Sequence, residues 1–298
     1  MSHAGGAVTV LASPRCLLGE GPVWHDEALW WVDIEGRALH RHAPGAGAIS
    51  CEASPVATFA DTLGCVVPRR SGGWVAGVGS ALAWLTPEGR VTRTLTLPGT
   101  TADTRCNDGK ADPSGRLWIG TMARDASDDG GGLYRIDTDG SIHQILEGCG
   151  IANGLGWSRD HTRFYFADSL RHNVRVFPFD DRTGSLGEGR VLAAIPASAG
   201  FADGLTLDRD DHVWLALWGG SSVIQLDGHT GATLATVKLP APHVTSCTFG
   251  GADHGTLFVT TARTALSAAE QTAHPDAGRV FSLTQPGLSG FAPFSTFL

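Results

Sequence analysis

The stretch NDGKADPSGRLW, residues 107–118, runs from an asparagine through a turn of Asp, Pro, Ser and Gly to a tryptophan eleven positions on. The same layout returns along the chain. Sliding the segments over one another pairs Glu20 with Trp31, Leu63 with Trp74, Asn107 with Trp118, Asn153 with Tyr165, Asp203 with Trp214 and Ser246 with Phe258. The leading residues lie 43, 44, 46, 50 and 43 positions apart. Between leader and aromatic the sequence reads strand, turn, strand, as in VWHDEALWWVD (23–33), WSRDHTRFYFAD (157–168) and LDRDDHVWLAL (207–217). The turns are built from Asp, Gly, Ser or His, which is hairpin chemistry. After each aromatic strand come another turn and another apolar strand, such as GGLYRIDTDG (131–140) and SSVIQLDGHTG (221–231). A repeat of about 40 to 50 residues with three or four short strands predicts a β-propeller blade. Six repeats predict six blades.

Composition agrees with an all-β chain. Forty Gly, fifteen Pro and nine Trp, with 17% charged residues, suit many tight turns between buried strands. No amphipathic helix of convincing length is visible, and no linker or charge run divides the chain, so residues 1–298 read as one propeller domain. Val8-Thr9-Val10-Leu11 reads as a lone strand that belongs to no hairpin, while the last repeat, 246–283, supplies three strands and lacks a fourth. Residues 7–12 are therefore expected to complete the last blade and cover an edge that would otherwise invite aggregation.

A net charge of −8 without a Lys/Arg-rich stretch argues against nucleic acid or an anionic membrane as partner. The start MSHAGGAVTV lacks a basic region followed by a long apolar one, and no run of 18 apolar residues occurs. The six cysteines, 16, 51, 65, 106, 149 and 247, show no CxxC spacing, and several sit in apolar strand patterns. Reduced thiols and a cytoplasmic location are the expectation, with no obligate protein partner.

In a propeller the innermost strand of each blade begins beside the central channel, so residues in equivalent register converge on one axis. Glu20, Asn107, Asn153 and Asp203 would then enter one cavity from four blades. Two carboxylates and two amides, without His or Cys, form an oxygen-rich cage for a hard divalent cation. Asn or Asp before Gly is often only a turn former. Four polar leaders in phase, each followed by an apolar strand, weigh against that reading here.

The segments LGEGPVW (18–24), RCNDGKADPSGRLWIGTM (105–122), ANGLGWS (152–158) with FADS (166–169), and FADGLTLD (201–208) with ALWGG (216–220) resemble the SMP-30/gluconolactonase/regucalcin family, nearest in look to its bacterial aldonolactonases. The resemblance covers nearly the whole chain. It implies a six-bladed propeller with one divalent metal and sugar-lactone hydrolase activity. It further implies Glu20, Asn153 and Asp203 as metal ligands, Asp203 as the base, and Arg105 and Asn107 as substrate contacts. The family's animal members carry two acidic residues where this chain has Arg124-Asp125, so Asp125 is the implied contact to substrate hydroxyls. Leu63 and Ser246 break the ring of strong ligands, which places the cation off-centre toward Glu20, Asn153 and Asp203 and leaves Asn107 to substrate or water. Oxygen ligands admit Ca²⁺, Mg²⁺, Mn²⁺, Fe²⁺ or Zn²⁺, and family habit puts Ca²⁺ or Zn²⁺ first.

A lactone ester needs its carbonyl polarised and a water delivered, tasks suited to a cation with open coordination sites beside a carboxylate base such as Asp203. The expected substrate is an aldono-1,4- or 1,5-lactone such as gluconolactone, arabinonolactone or xylonolactone. A calcium-binding or regulatory propeller without catalysis is the alternative, and the organic clamp formed by Arg105 and Asn107 favours the enzyme. Trp218 reads equally as a sugar-stacking or a blade-packing ring, and His243 mainly as a loop residue near the channel mouth. His25, His172 and Trp31, Trp74, Trp118 and Trp214 read as structural. No GxSxG, HExxH, P-loop or dinucleotide fingerprint is present.

Overall fold

The structure, a computed structural model, describes residues 6–11, 13–43, 54–127, 129–285 and 287–298. Cys51 and Ala12 lie outside the described residues. The chain is all-β with a propeller-like arrangement of antiparallel sheets. The short helix Ala268–Ala273 is closed at its start by Ser267 and Glu270, each side chain bonding the other residue's backbone.

One repeat shows how sequence builds each sheet. Thr104–Ala111 pairs with Leu117–Ala123 across the turn 112–116. Asp112 braces that turn: its Oδ1 accepts from the Arg116 backbone N–H at 2.9 Å and its Oδ2 from the Arg116 Nε at 2.6 Å. Gly115 sits at φ 83°, a conformation that costs glycine little. The same Asp112 Oδ2 accepts from Trp118 Nε1 at 3.0 Å, so the turn residue fixes the aromatic six positions later. Asp208 repeats the device with Trp214 at 2.9 Å. Tyr165, without an indole N–H, bonds the Gly228 carbonyl instead at 3.1 Å. All of the repeated aromatics are buried, Trp118 and Tyr165 completely.

Burial falls outward across each sheet. Leu117–Ala123 and Ala28–Asp33 are buried throughout, whereas the outlying strand Val91–Thr96 is mostly exposed. The first strands of the repeats, Gly19–His25, Leu63–Pro68, Thr104–Ala111, Ala152–Trp157, Phe201–Leu207 and His243–Gly250, each lie against the next, and the last lies against the first. Apolar clusters fill the wedges between neighbouring sheets. The Thr245 hydroxyl donates to the Gly19 carbonyl at 2.6 Å where the last repeat meets the first.

Near the chain start, Ala7–Val10 pairs antiparallel with Phe281–Thr284, from Ala7 opposite Thr284 to Val10 opposite Phe281. Phe281–Thr284 pairs in turn with Thr256–Ala262. The repeats that begin at Phe201 and His243 join into one eight-stranded sheet through a single residue pair, Trp218 and His243.

Candidate active site

Every first strand carries one extra residue relative to its partner at the leader position. The register shifts between Glu20 and Val23, Leu63 and Cys65, Cys106 and Gly109, Ala152 and Leu155, Ala202 and Leu205, and Val244 and Ser246. Such bulges bend a strand and re-aim its side chains, and here they recur beside the common axis. Glycine follows several leaders because the strands nearly touch: a Cβ on Gly154 would stand 2.6 Å from the Asp203 carbonyl oxygen.

At this end of the first strands lies a cavity of about 390 Å³. Glu20, Arg105, Asn107, Asn153, Ser169 and Asp203 line it, with Glu35 and Arg124. Leu18, Ile34, Met122, Ile151, Leu170, Phe201 and Trp218 supply apolar wall. Five of the six residues expected at the site, Glu20, Arg105, Asn107, Asn153 and Asp203, thus line one cavity. Asp125 is the exception. It is exposed, does not line the cavity, and its carboxylate accepts from the Ser127 backbone N–H at 3.0 Å. Its neighbour Arg124 lines the cavity instead and holds Asp61 through two bonds of 3.0 and 2.9 Å.

Glu20 and Asp203 are both buried and lie close enough to shift each other's titration. Loss of hydration pushes the Glu20 carboxyl up to about 8, helped by the negative charge of Asp108. Asp203 is also raised well above the carboxylate range, by burial and then by Glu20. Burial of two neighbouring carboxyls favours their protonated forms, and a cation is what would let both ionise. Asn153 Nδ2 donates to Asp203 Oδ1 at 2.5 Å and to Ser169 Oγ at 3.2 Å, while Asn153 Oδ1 is buried with no hydrogen-bond partner. An orphaned amide oxygen beside two carboxylates fits a hard cation.

Asn107 is differently placed. Its Oδ1 accepts from Arg105 Nη1 at 2.7 Å and its Nδ2 donates to the Ala152 carbonyl at 3.1 Å, so its amide is engaged at both ends. Arg105 Nη1 also donates to the Cys106 carbonyl at 3.0 Å, which pins the guanidinium over the cavity. Ser169 orients Asn153 and is itself anchored to the Ala202 carbonyl at 2.6 Å. Its place directly after the Phe-Ala-Asp of FADS was the available signal for it. Glu35, Arg124 and Phe201 also escaped the sequence reading, because each lies beyond the leader register.

Other clusters are spoken for. Asp33, near Cys16 and His40, accepts from the backbone N–H groups of Leu17, Leu18 and Gly36. Asp208, near Asp210 and His212, is filled by His212, Trp214, Gln225 and backbone. Burial pushes the thiols of Cys16, Cys106, Cys149 and Cys247 up to about 12, too high for nucleophiles. At the opposite end of the first strands, a narrow cavity of about 70 Å³ is lined by Asp108 and Lys110 and covered by Phe291, Pro293 and Phe294. Ser246 lines this second cavity, while buried Leu63 lines neither.

A family profile described as SMP-30/Gluconolactonase/LRE-like region matches residues 18–263. Regucalcin of Danio rerio is 36% identical over 282 residues, covering 93% of this chain and 94% of that protein. Pentonolactonase XacC of Haloferax volcanii is 39% identical over 263 residues, covering 86% and 85%. Among solved structures, a calcium-binding protein, regucalcin, from Agrobacterium tumefaciens superposes with a TM-score of 0.88 at 28% identity and covers all of both chains. A luciferin-regenerating enzyme gives a TM-score of 0.89 at 29% identity, covering 99% of this chain and 100% of that one. The chain belongs to the SMP-30/gluconolactonase/LRE-like family.

Proposed function

We propose that this protein hydrolyses a sugar lactone, an aldono-1,4- or 1,5-lactone, to the sugar acid with the help of one divalent cation. The observation that carries this reading is the orphaned Asn153 Oδ1 in a cavity lined also by Glu20, Asp203 and the pinned Arg105. Glu20, Asn153 and Asp203 would hold the cation, Ca²⁺ or Zn²⁺ first, and when bound it would supply Lewis-acid polarisation of the lactone carbonyl. Asp203, its proton given up, accepts the proton of the attacking water. Arg105 and Asn107, tied to each other, orient the ring oxygens and then the product carboxylate. Ser169 keeps the Asn153 amide turned to the site. The relative named a pentonolactonase supports this reading. The regucalcin relatives favour the alternative of a calcium-binding propeller without catalysis, but a guanidinium held over the cavity has no task in a calcium buffer.

The architecture in this reading is a single six-bladed propeller over 1–298. The eight-stranded sheet counts as two blades joined at Trp218 and His243, and Ala7–Val10 closes the last of them. The five described cysteines, buried and free, suit a reducing cytoplasm. Among the described residues no helix is long and apolar enough to cross a membrane. The reading has no obligate protein, nucleic-acid or membrane partner.

A pH-stat assay against a panel of aldonolactones, run on chelated protein and after metal add-back, tests the activity. Metal-dependent acid release above the spontaneous rate is expected. Its absence for every lactone would favour the non-catalytic alternative.

A further inference from the structure

The mouth of the cavity carries an ordered row of rings that the proposed chemistry does not use. Phe201 and Trp218 stand directly opposite each other on paired strands, which puts both side chains on one face of the sheet. Trp218 and His243 are the next opposed pair in that row. The Trp218 and His243 rings stack at 4.0 Å between centroids with planes 7° apart. His243 is fixed from behind by Nδ1 against the Thr264 carbonyl at 3.0 Å. Phe201 is backed by the His172 ring at 4.5 Å. Phe201 and Trp218 thus each pack against an imidazole and line the cavity. Phe201 remains 37% exposed, an unusual state for a phenylalanine whose strand continues two residues later into the buried Asp203. The repeated Trp31, Trp118 and Trp214, which pack the sheets, are by contrast covered.

We propose that Phe201 and Trp218 form a rigid aromatic platform that stacks on the C–H face of the bound sugar ring and so sets substrate specificity. The inference rests on the lactonase reading of the same cavity. Hydroxyls of a sugar lactone point outward around the ring and leave a patch of C–H bonds on a face. Arg105, Asn107 and the carboxylates address the oxygens, and the platform addresses that patch. Aromatic faces carry partial negative charge and attract the polarised C–H groups, while rings held by packing lose little freedom on binding. The site would therefore favour ring lactones with an uninterrupted C–H face over epimers that project a hydroxyl into the platform. His172 and His243 are positioning residues, since they act through Phe201 and Trp218.

The test compares Phe201→Ala, Trp218→Ala and Trp218→Phe with the wild type on D-glucono-1,5-lactone. Binding of the non-hydrolysable ring 1,5-anhydroglucitol is followed in parallel by ligand-observed NMR. Because the platform touches ground state and transition state alike, each alanine variant should raise KM about 5- to 20-fold with kcat within about threefold, and Trp218→Phe should recover most of the loss. Exposed Phe201 can be truncated without opening the core, so its variant remains informative if Trp218→Ala fails to fold. KM within about twofold of wild type in Phe201→Ala, or in a folded Trp218→Ala, overturns the platform and leaves the lactonase reading standing. If the wild type hydrolyses no lactone, that reading fails and the NMR decides. Loss of anhydroglucitol binding in the variants supports the platform, whereas unchanged binding, or none in the wild type, overturns it.

Discussion

Adding a divalent cation to chelated protein should expel protons at neutral pH, and by an amount the buried carboxylates set. Glu20 is raised from 4.5 to about 8 by burial and by Asp108, and Asp203 is raised by burial and by Glu20. A carboxyl at about 8 is roughly 0.9 protonated at pH 7 and roughly 0.1 at pH 9, so cation uptake should release at least about 0.9 proton per chain at pH 7, and the share of Glu20 should almost vanish by pH 9. The apparent affinity should weaken by roughly tenfold for each pH unit below about 8, or about 100-fold between pH 9 and pH 6. The same groups fix a trend in the metal-free protein. A carboxyl raised on folding contributes stability that is complete below about 4.5 and is lost as the pH climbs to about 8. The interval corresponds to on the order of 5 kcal/mol for buried Glu20, an upper bound for a coupled pair. Isothermal titration in buffers of different protonation enthalpy measures the release, and melting curves across the same range measure the stability. Affinity independent of pH, with no proton released at pH 7, would refute this account of two raised carboxyls at the site.

Asp203→Asn should fold like the wild type and lose about 10² to 10⁴ in kcat, the usual worth of a general base; steady-state turnover near the wild-type value would remove Asp203 from the mechanism. Deleting residues 1–14 removes Ala7–Val10 and bares the edge of Phe281–Thr284, so the protein should be insoluble, and a soluble, fully active deletion seen by size exclusion and assay would contradict the closing strand. Trp118→Ala empties a completely buried site and frees Asp112, and should cost about 3 to 5 kcal/mol by urea denaturation with no direct effect on the cavity at the strand starts.

The leader half and the aromatic half of the repeat were legible for different reasons. Trp118 and Trp214 could be read as packing residues because burial of an aromatic at fixed register requires little else, and both are tied to turn aspartates as hairpin chemistry suggests. Glu20, Asn153 and Asp203 could be read as convergent because first strands share an axis. The bulge that turns each of them inward was not legible, since one extra residue changes a spacing by one and the leader-to-aromatic spacing already varies between eleven and twelve. Asp125 lies outside the cavity for a related reason. The strand Leu117–Ala123 ends just before it, its neighbour Arg124 lines the cavity, and Asp125 itself turns back onto Ser127. Neither Ser169 nor Phe201 follows from residue type alone, because a serine that orients an amide and a phenylalanine left half bare are recognised only by what stands next to them.

The central claim is that Glu20, Asn153 and Asp203 together hold the cation on which lactone hydrolysis depends. Metal content of the wild type and of Glu20→Gln, both purified without chelator and measured alongside turnover of the same samples, tests it most directly. One divalent ion per chain in the wild type, with ion and turnover lost together in Glu20→Gln, is the expected result. A Glu20→Gln protein that keeps its full complement of metal and its full turnover would contradict it.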